Sequence, residues 1–363
     1  MTSIVSPKDA RRSRAAQRRM RDDAREMAGR LSAASAVRTD NDRETAPSAP
    51  CVSRRRCELV GRLARYARWG DRVKGFFEPG LLQLYLALDD LHEARGVHGA
   101  VAEIGVFHGK SFIPLALLCR EAHGPHRASE LCLAVDCFES QEHNRDQSGE
   151  GDRTAFERNV KAAMRACCEG KGTSEGDRIQ GLGDDGDGLR VIEADSITLS
   201  PSEVSAAVDG QPIRLFSVDG SHTAEATAAD LSTAATVLHP EGAVIVDDAF
   251  NPDWPGVMTG LFNWYNANCH DQLAAGAAGR TNDDKGIWNV PALVPFAIGF
   301  NKVVMCRPEM HATYFEHLVS GGEGGDRRQS DSAWPRVRKT ASFLGHDVAV
   351  FSHGWIATFH GNE

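Results

Sequence analysis

Val101-Ala102-Glu103-Ile104-Gly105-Val106-Phe107-His108-Gly109-Lys110-Ser111 is the stretch on which the reading of this chain turns. It joins a short apolar run, VAEIG, to an apolar helical stretch from Phe112 to Glu121 through a turn with two glycines. A strand feeding a helix through such a turn is the repeating unit of parallel α/β sheets, and the turn is a common seat for phosphates and nucleotides. Here it is one residue short of a phosphate loop, because three residues rather than four separate Gly105 from Gly109-Lys110-Ser111. Fewer backbone N–H groups can then wrap a phosphate, and Glu103 sets a carboxylate against it. The dinucleotide fingerprint G-x-G-x-x-G is absent too. What is left is E-x-G-x-x-x-G-x-S, running from Glu103 through Gly105 and Gly109 to Ser111. An acid beside an open turn suits a cationic or hydroxyl-bearing ligand better than a phosphate.

Outward from this turn the same unit recurs. LCLAVD (131–136), LRVIEAD (189–195), RLFSVDG (214–220) and AVIVDD (243–248) are short apolar runs that end in acids or glycine, with helical stretches at 155–167 and 224–238 between them. Continuous apolar strands alternating with helices predict a mostly parallel sheet covered on both faces. Late runs at Lys302–Cys306 and Asp347–Ser352 are expected to close one sheet edge. Helical spacing at Leu59–Trp69 and Leu81–Leu91, broken by Glu78-Pro79-Gly80, predicts two helices ahead of the sheet. Segments 168–188 and 321–332, rich in Gly and Asp, read as loop insertions. The organisation expected is a basic, disordered arm over 1–57, a helical extension and candidate lid over 58–100, and an α/β domain over 101–363.

Composition bounds the rest. With 363 residues, 41% hydrophobic and 25% charged, the chain can bury a core. No apolar run approaches the ~20 residues that span a bilayer, so no membrane partner is expected. The net charge of −9 hides an asymmetry: residues 1–57 carry 14 basic and 7 acidic side chains, and the remainder is strongly acidic. An acidic body argues against a nucleic-acid partner. Nine cysteines, an odd number with no CxxC pair, read as thiols in a reducing compartment and give a cytoplasmic expectation. The arm is rich in Arg, Ser and Ala, which offers organelle import as the alternative, but Asp22, Asp23 and Glu26 interrupt it.

Acids gather at the predicted strand ends. Asp136 is placed to accept two hydrogen bonds from ribose hydroxyls. Asp219 ends one strand, and Asp247 and Asp248 end the next, so all three are expected over one crevice. Converging carboxylates repel one another, and a divalent cation such as magnesium, manganese or calcium relieves that repulsion. S-adenosylmethionine, with a ribose, an ammonium, a sulfonium and no phosphate, is the kind of ligand the first turn suits.

On VAEIGVFHGKS, LAVDCFE, VIEADS, FSVDGSHTAEATAADL and AVIVDDAFNPDWPGV, taken in that order, the chain resembles the class I S-adenosylmethionine-dependent methyltransferases. Within them it is similar to the metal-dependent sugar and natural-product O-methyltransferases, over roughly Val101 to Cys306. The resemblance implies a Rossmann-like fold with a mostly parallel seven-stranded sheet flanked by helices. It implies that Glu103 and Gly105 hold the methionine end of the cofactor, Asp136 the ribose, and Asp195 with Ser196 the adenine region. It also implies that Asp219, Asp247 and Asp248 bind a magnesium-like ion beside the methyl donor.

Some members carry a second acid two residues after the first metal ligand. Ser221 stands there in this chain, which leaves His222 as the candidate base. Structural readings stay open at this point: a helix cap for Asp195, a loop-holding hydrogen bond for His222, and a cap for one of Asp247 and Asp248. Acceptor contacts are expected from the helical pair before Val101, from 139–153 with Gln141, His143, Asn144 and Arg145, and from Phe250–Trp264 on to Trp288. Pro295–Lys302 resembles a late strand region of the family and is given no chemistry. The function expected is methylation of a small hydroxylated acceptor, by a chain that admits a homo-oligomer. The competing readings are a metal-free methyltransferase and a non-catalytic cofactor fold tethered through its arm.

Overall fold

The computed structural model describes residues 18, 21–33, 52–119, 129–144, 146, 148–168, 188–270, 290–321 and 334–351. Five parallel strands, β1 (Ala100–Ile104), β2 (Cys132–Asp136), β3 (Leu189–Glu193), β4 (Ile213–Val218) and β5 (Leu238–Val246), form half of one sheet. The others are β6 (Val294–Gly299), β7 (Lys302–Cys306), β8 (Val337–Phe343) and β9 (His346–Phe351). Their order is β3-β2-β1-β4-β5-β7-β6-β9-β8. The chain leaves β1 toward β2 on one side and returns to β4 on the other. That reversal opens a crevice above the carboxyl ends of β1 and β4.

The sheet has nine strands where seven were expected. Lys302–Cys306 is an interior strand, antiparallel to both β5 and β6, and 347–352 falls largely in β9, which is also interior. The edge is β8, whose exposed Arg338, Lys339 and Thr340 gave no apolar signal in the sequence. Charged side chains on an edge strand keep it from pairing with another chain.

Helices cover both faces, as the continuous apolar strands predict. Alternate strand residues point to opposite faces. Val101 and Ile245 join a core beneath α2 (Val52–Trp69), α3 (Leu81–Arg95), α4 (Phe112–Ala116), α5 (Arg153–Cys168) and α9 (His311–Val319). Ala102, Ile104 and Val244 join a second core beneath α6 (Pro201–Ala207), α7 (Ala224–Val237) and α8 (Pro255–Tyr265).

Residues 21–33 form a further helix, α1, with Ala24, Met27, Ala28 and Leu31 buried, the last three in the first core. α2 itself begins at Val52. The expectation of a disordered arm over 1–57 is therefore corrected for 21–33 and 52–57; apolar residues at helical spacing outweigh the basic composition there. Insertions 168–188 and 321–332 lie almost wholly outside the described residues.

At the far end of the sheet from the crevice, Arg214 on β4 is fully buried. Its guanidinium meets Asp89 of α3 at 3.1 Å and Glu130 at 2.9 Å, and donates to the Leu118 carbonyl. This network ties α3, the loop before β2 and the sheet together.

Candidate active site

Backbone hydrogen bonds carry the sheet ladder one residue past the strand ends and so fix the crevice. The Gly105 N–H donates to Val135 O at 2.8 Å, Asp219 N–H to Ile104 O at 2.9 Å and Asp247 N–H to Val218 O at 2.9 Å. Gly105 has φ 83°, and a Cβ there would lie 1.7 Å from the Asp219 carbonyl oxygen. Only glycine lets the β1 and β4 turns approach so closely.

Glu103 points into the first core from β1 and is wholly buried. Its Oε1 accepts from the Ser217 hydroxyl at 3.0 Å, whereas Oε2 has no hydrogen-bond partner. Burial pushes its carboxyl up to about 8, against the easing effects of Ser217, Lys302 and Ser111. A buried carboxylate oxygen without a donor is costly. The ammonium of a bound methionine moiety is a fitting partner, so the methionine end of S-adenosylmethionine suits this position.

Other expected cofactor residues divide. Asp136 is held by its own turns, with Oδ2 accepting from the Phe107 N–H and Oδ1 from the Phe138 N–H, both at 2.7 Å. Phe107 and Phe138 adopt φ values of 50° and 42° to make these bonds. Gly109 faces inward, where a Cβ would meet the Phe156 ring at 3.1 Å. The Asp195 carboxylate accepts from the Ile197 N–H at 3.1 Å, as a cap does, and Ser196 follows it toward the buried Asp230.

Between β4 and α7 the chain is short because Thr223 caps the helix, its hydroxyl accepting from the Ala226 N–H. His222, just before the cap, is the hub of the crevice. Its Nδ1 lies 2.6 Å from Asp146 Oδ2, and its Nε2 lies 3.2 Å from Asp248 Oδ2 and 3.9 Å from Asp219 Oδ1. Trp254 stacks on its ring at 4.4 Å. Gly256 makes that approach feasible, since a Cβ there would lie 2.3 Å from the His222 carbonyl oxygen. Burial works to lower the His222 pKa, but Asp146 and Asp248 outweigh it and raise it to about 9. The same contacts hold Asp146 below the usual carboxylate range despite its burial.

The three acids at the ends of β4 and β5 do come together, but not as equivalent ligands. Asp248 is in the left-handed region at φ 54°. One of its oxygens accepts from Asn301 at 2.5 Å and Asn251 at 3.2 Å, and the other faces His222. Asp247 pairs with Lys302, while its other oxygen accepts the Asp248 N–H at 2.7 Å. Burial, and next the Asp247 charge, hold the Asp219 carboxyl well above its ordinary range. One ligand atom each from Asp219, His222 and Asp248 lie within 4.8 Å of one another. Such a donor set fits a divalent cation.

Asp146, Lys302, Asn301 and the Trp254 stack are the parts of the crevice that sequence reasoning missed. Asp146 lies in the loop 139–153 already marked as polar, and Lys302 begins a strand to which no chemistry was given. Arg145 and Trp288 lie outside the described residues. Among the described residues no helix is long and apolar enough to cross a membrane.

A parallel sheet reversing between β1 and β4, with an acid under a glycine turn and acids at the next strand ends, is a methyltransferase-like fold. Residues 102–249 match the family described as a methyltransferase domain. Among solved structures it is similar to the O-methyltransferase NovP, with 14% identity over 63% of this chain and 80% of that one, at a TM-score of 0.41. It is also similar to CalS11, a TDP-rhamnose 3′-O-methyltransferase of calicheamicin biosynthesis, with 16% identity over 84% of this chain and 96% of that one, at 0.38. MycE, from the mycinamycin pathway and in complex with Mg and SAH, shows 11% identity over 68% of this chain and 54% of its own, at 0.37. No curated protein sequence matches the chain.

Proposed function

We propose that this chain transfers a methyl group from S-adenosylmethionine to a hydroxyl of a small, polyhydroxylated acceptor of sugar or natural-product type, assisted by a divalent cation. The observation that carries the reading is the Asp146–His222 pair, whose second imidazole nitrogen lies 3.2 Å from Asp248 and 3.9 Å from Asp219.

Methyl transfer to oxygen forms an O–C bond as the S–C bond breaks, and the hydroxyl proton must leave. When bound, the donor would supply the electrophilic methyl carbon, and Asp219 and Asp248 would hold a divalent ion whose charge would lower the pKa of the acceptor hydroxyl. His222 takes that proton at Nε2. Asp146 accepts from Nδ1–H and so keeps the other nitrogen directed at the crevice. A positively charged neighbour favours the neutral ring that this role needs. Glu103 holds the donor's ammonium group through its unpartnered oxygen. Trp254, stacked on His222, limits the ring's rotation and offers the acceptor an apolar face.

The test is methyl transfer from radiolabelled S-adenosylmethionine to a panel of deoxysugar nucleotides and polyphenols, with magnesium and again with EDTA. Product methylated on oxygen, lost in EDTA and in Asp219→Asn, is expected. Full activity in EDTA would remove the cation from the mechanism, and methylation on nitrogen would remove the acceptor class.

A further inference from the structure

Helix α3 lies along the sheet with its start at the crevice and its end at the far side. Gly80, just before it, sits against Phe300, where a Cβ would lie 2.2 Å from the ring, two residues before Lys302. Asp89, about two turns on, meets Arg214 at the opposite end of β4 at 3.1 Å. Tyr85 precedes Asp89 by one turn, on the same side of the helix and ~6 Å closer to the crevice. A helical side chain leans toward the helix start, so Tyr85 leans the same way. It is 1% exposed.

Strand alternation turns the polar residues of the crevice floor toward the face that α3 covers. Val101, Leu215 and Ile245 belong to the core beneath α3. Glu103, Ser217, Asp219 and Asp247, two or four residues further along the same runs, point the same way. Burial raises the pKa of the Tyr85 phenol, and the charges of Glu103, Asp247 and Asp219 add to the rise, so it stays a neutral donor. Among the described residues its hydroxyl has no hydrogen-bond partner. A buried tyrosine hydroxyl ordinarily finds one. Oε2 of Glu103, the acid whose charge acts on Tyr85 most, is likewise without a partner. A donor and an acceptor left open in one enclosure, and not bonded to each other, fit a group that carries both a cation and an anion.

We propose that Tyr85 is a cofactor-binding residue, whose hydroxyl donates to the carboxylate of the methionine moiety while Glu103 accepts from the ammonium of the same moiety. The proposal rests on the methyl-donor reading above. The other donors on this face are engaged: Lys302 pairs with Asp247, and Ser217 and Ser111 both ease the charge of Glu103 itself. A hydrogen bond from a buried, neutral phenol to a carboxylate is of the stronger, charge-assisted kind. It would also hold the amino-acid end of the donor at two points, which fixes where the sulfonium lies along the crevice. On this reading α3 serves the cofactor, whereas the sequence offered the helices before Val101 to the acceptor.

The experiment is calorimetric titration of the full chain, wild type and Tyr85→Phe, with S-adenosylhomocysteine and with its decarboxylated analogue, beside urea unfolding of both proteins. Tyr85→Phe is expected to bind S-adenosylhomocysteine ~10-fold or more weakly than wild type, the loss typical of a hydrogen bond to a charged group. The analogue keeps the ammonium and lacks the carboxylate, so the two proteins should bind it within about twofold of each other. The variant should be at least as stable as wild type, because no hydrogen bond of the free protein is lost. Unchanged affinity for S-adenosylhomocysteine overturns the proposal. So does an equal loss for both ligands, which marks a general disturbance of the pocket, or a lower urea midpoint, which marks a partner for the hydroxyl within the chain. Wild type binding neither ligand removes the methyl-donor reading itself, and this proposal with it.

Discussion

Nδ1 of His222 lies 2.6 Å from Oδ2 of Asp146, and that same oxygen accepts the His222 backbone N–H at 2.5 Å. One carboxylate from the loop after β2 thus fixes both the ring and the backbone of a histidine after β4. Asp146→Asn should lower kcat by ~10²–10⁴, the range expected when an oriented base loses its partner. Affinity for S-adenosylhomocysteine should stay unchanged. Steady-state kinetics with calorimetry checks both, and a loss of cofactor affinity equal to the loss of rate would mean that Asp146 holds the cofactor instead.

Trp254 stacks on His222 with an interplanar angle of 17°. An aromatic contact of this kind contributes about 0.5–1.5 kcal/mol, so Trp254→Ala should reduce kcat/KM for the acceptor up to ~10-fold. Trp254→Phe, which keeps a ring, should recover most of it. Equal losses in both variants would point to the indole edge rather than to stacking.

Asp230 of α7 is fully buried, and neither of its carboxylate oxygens has a hydrogen-bond partner of good geometry. Burial raises its pKa from 3.8 to about 7, with Ser196 opposing the rise. Between these values the folded state holds a proton that the unfolded state has lost, so stability falls as pH rises through the window. The fall should amount to about 2–4 kcal/mol. Asp230→Asn should abolish this fall and be the more stable form at pH 8, as read from urea unfolding at pH 5 and pH 8.

Arg214 is enclosed by Asp89 and Glu130. Arg214→Met takes the buried guanidinium from Glu130, while Asp89 keeps Arg55 at 2.8 Å, and should cost ~3–5 kcal/mol. Urea denaturation measures the loss; a cost below ~1 kcal/mol would mean that water or another cation reaches the acids.

Much of the crevice was legible because strand ends announce themselves. A run such as AVIVDD is apolar until it leaves the sheet, so Asp247 and Asp248 had to lie at a carboxyl edge, and Asp219 follows by the same reasoning. Spacing could not assign partners to them. Asp146 meets His222 across 76 residues of sequence. Lys302 meets Asp247 only because β7 runs antiparallel beside β5.

What the sequence determined by itself is the alternation of apolar strands and helices, the glycine at Gly105 and the acids that close each strand. These are local properties, set by side-chain hydropathy and backbone sterics over a few residues. Tertiary structure decided which acid is open and which is taken. Sheet order brought an ammonium to Asp247, an imidazole to Asp248 and a second carboxylate to that imidazole. Charge pairing depends on distances of a few ångströms between residues far apart in the chain, and only the folded sheet sets those distances.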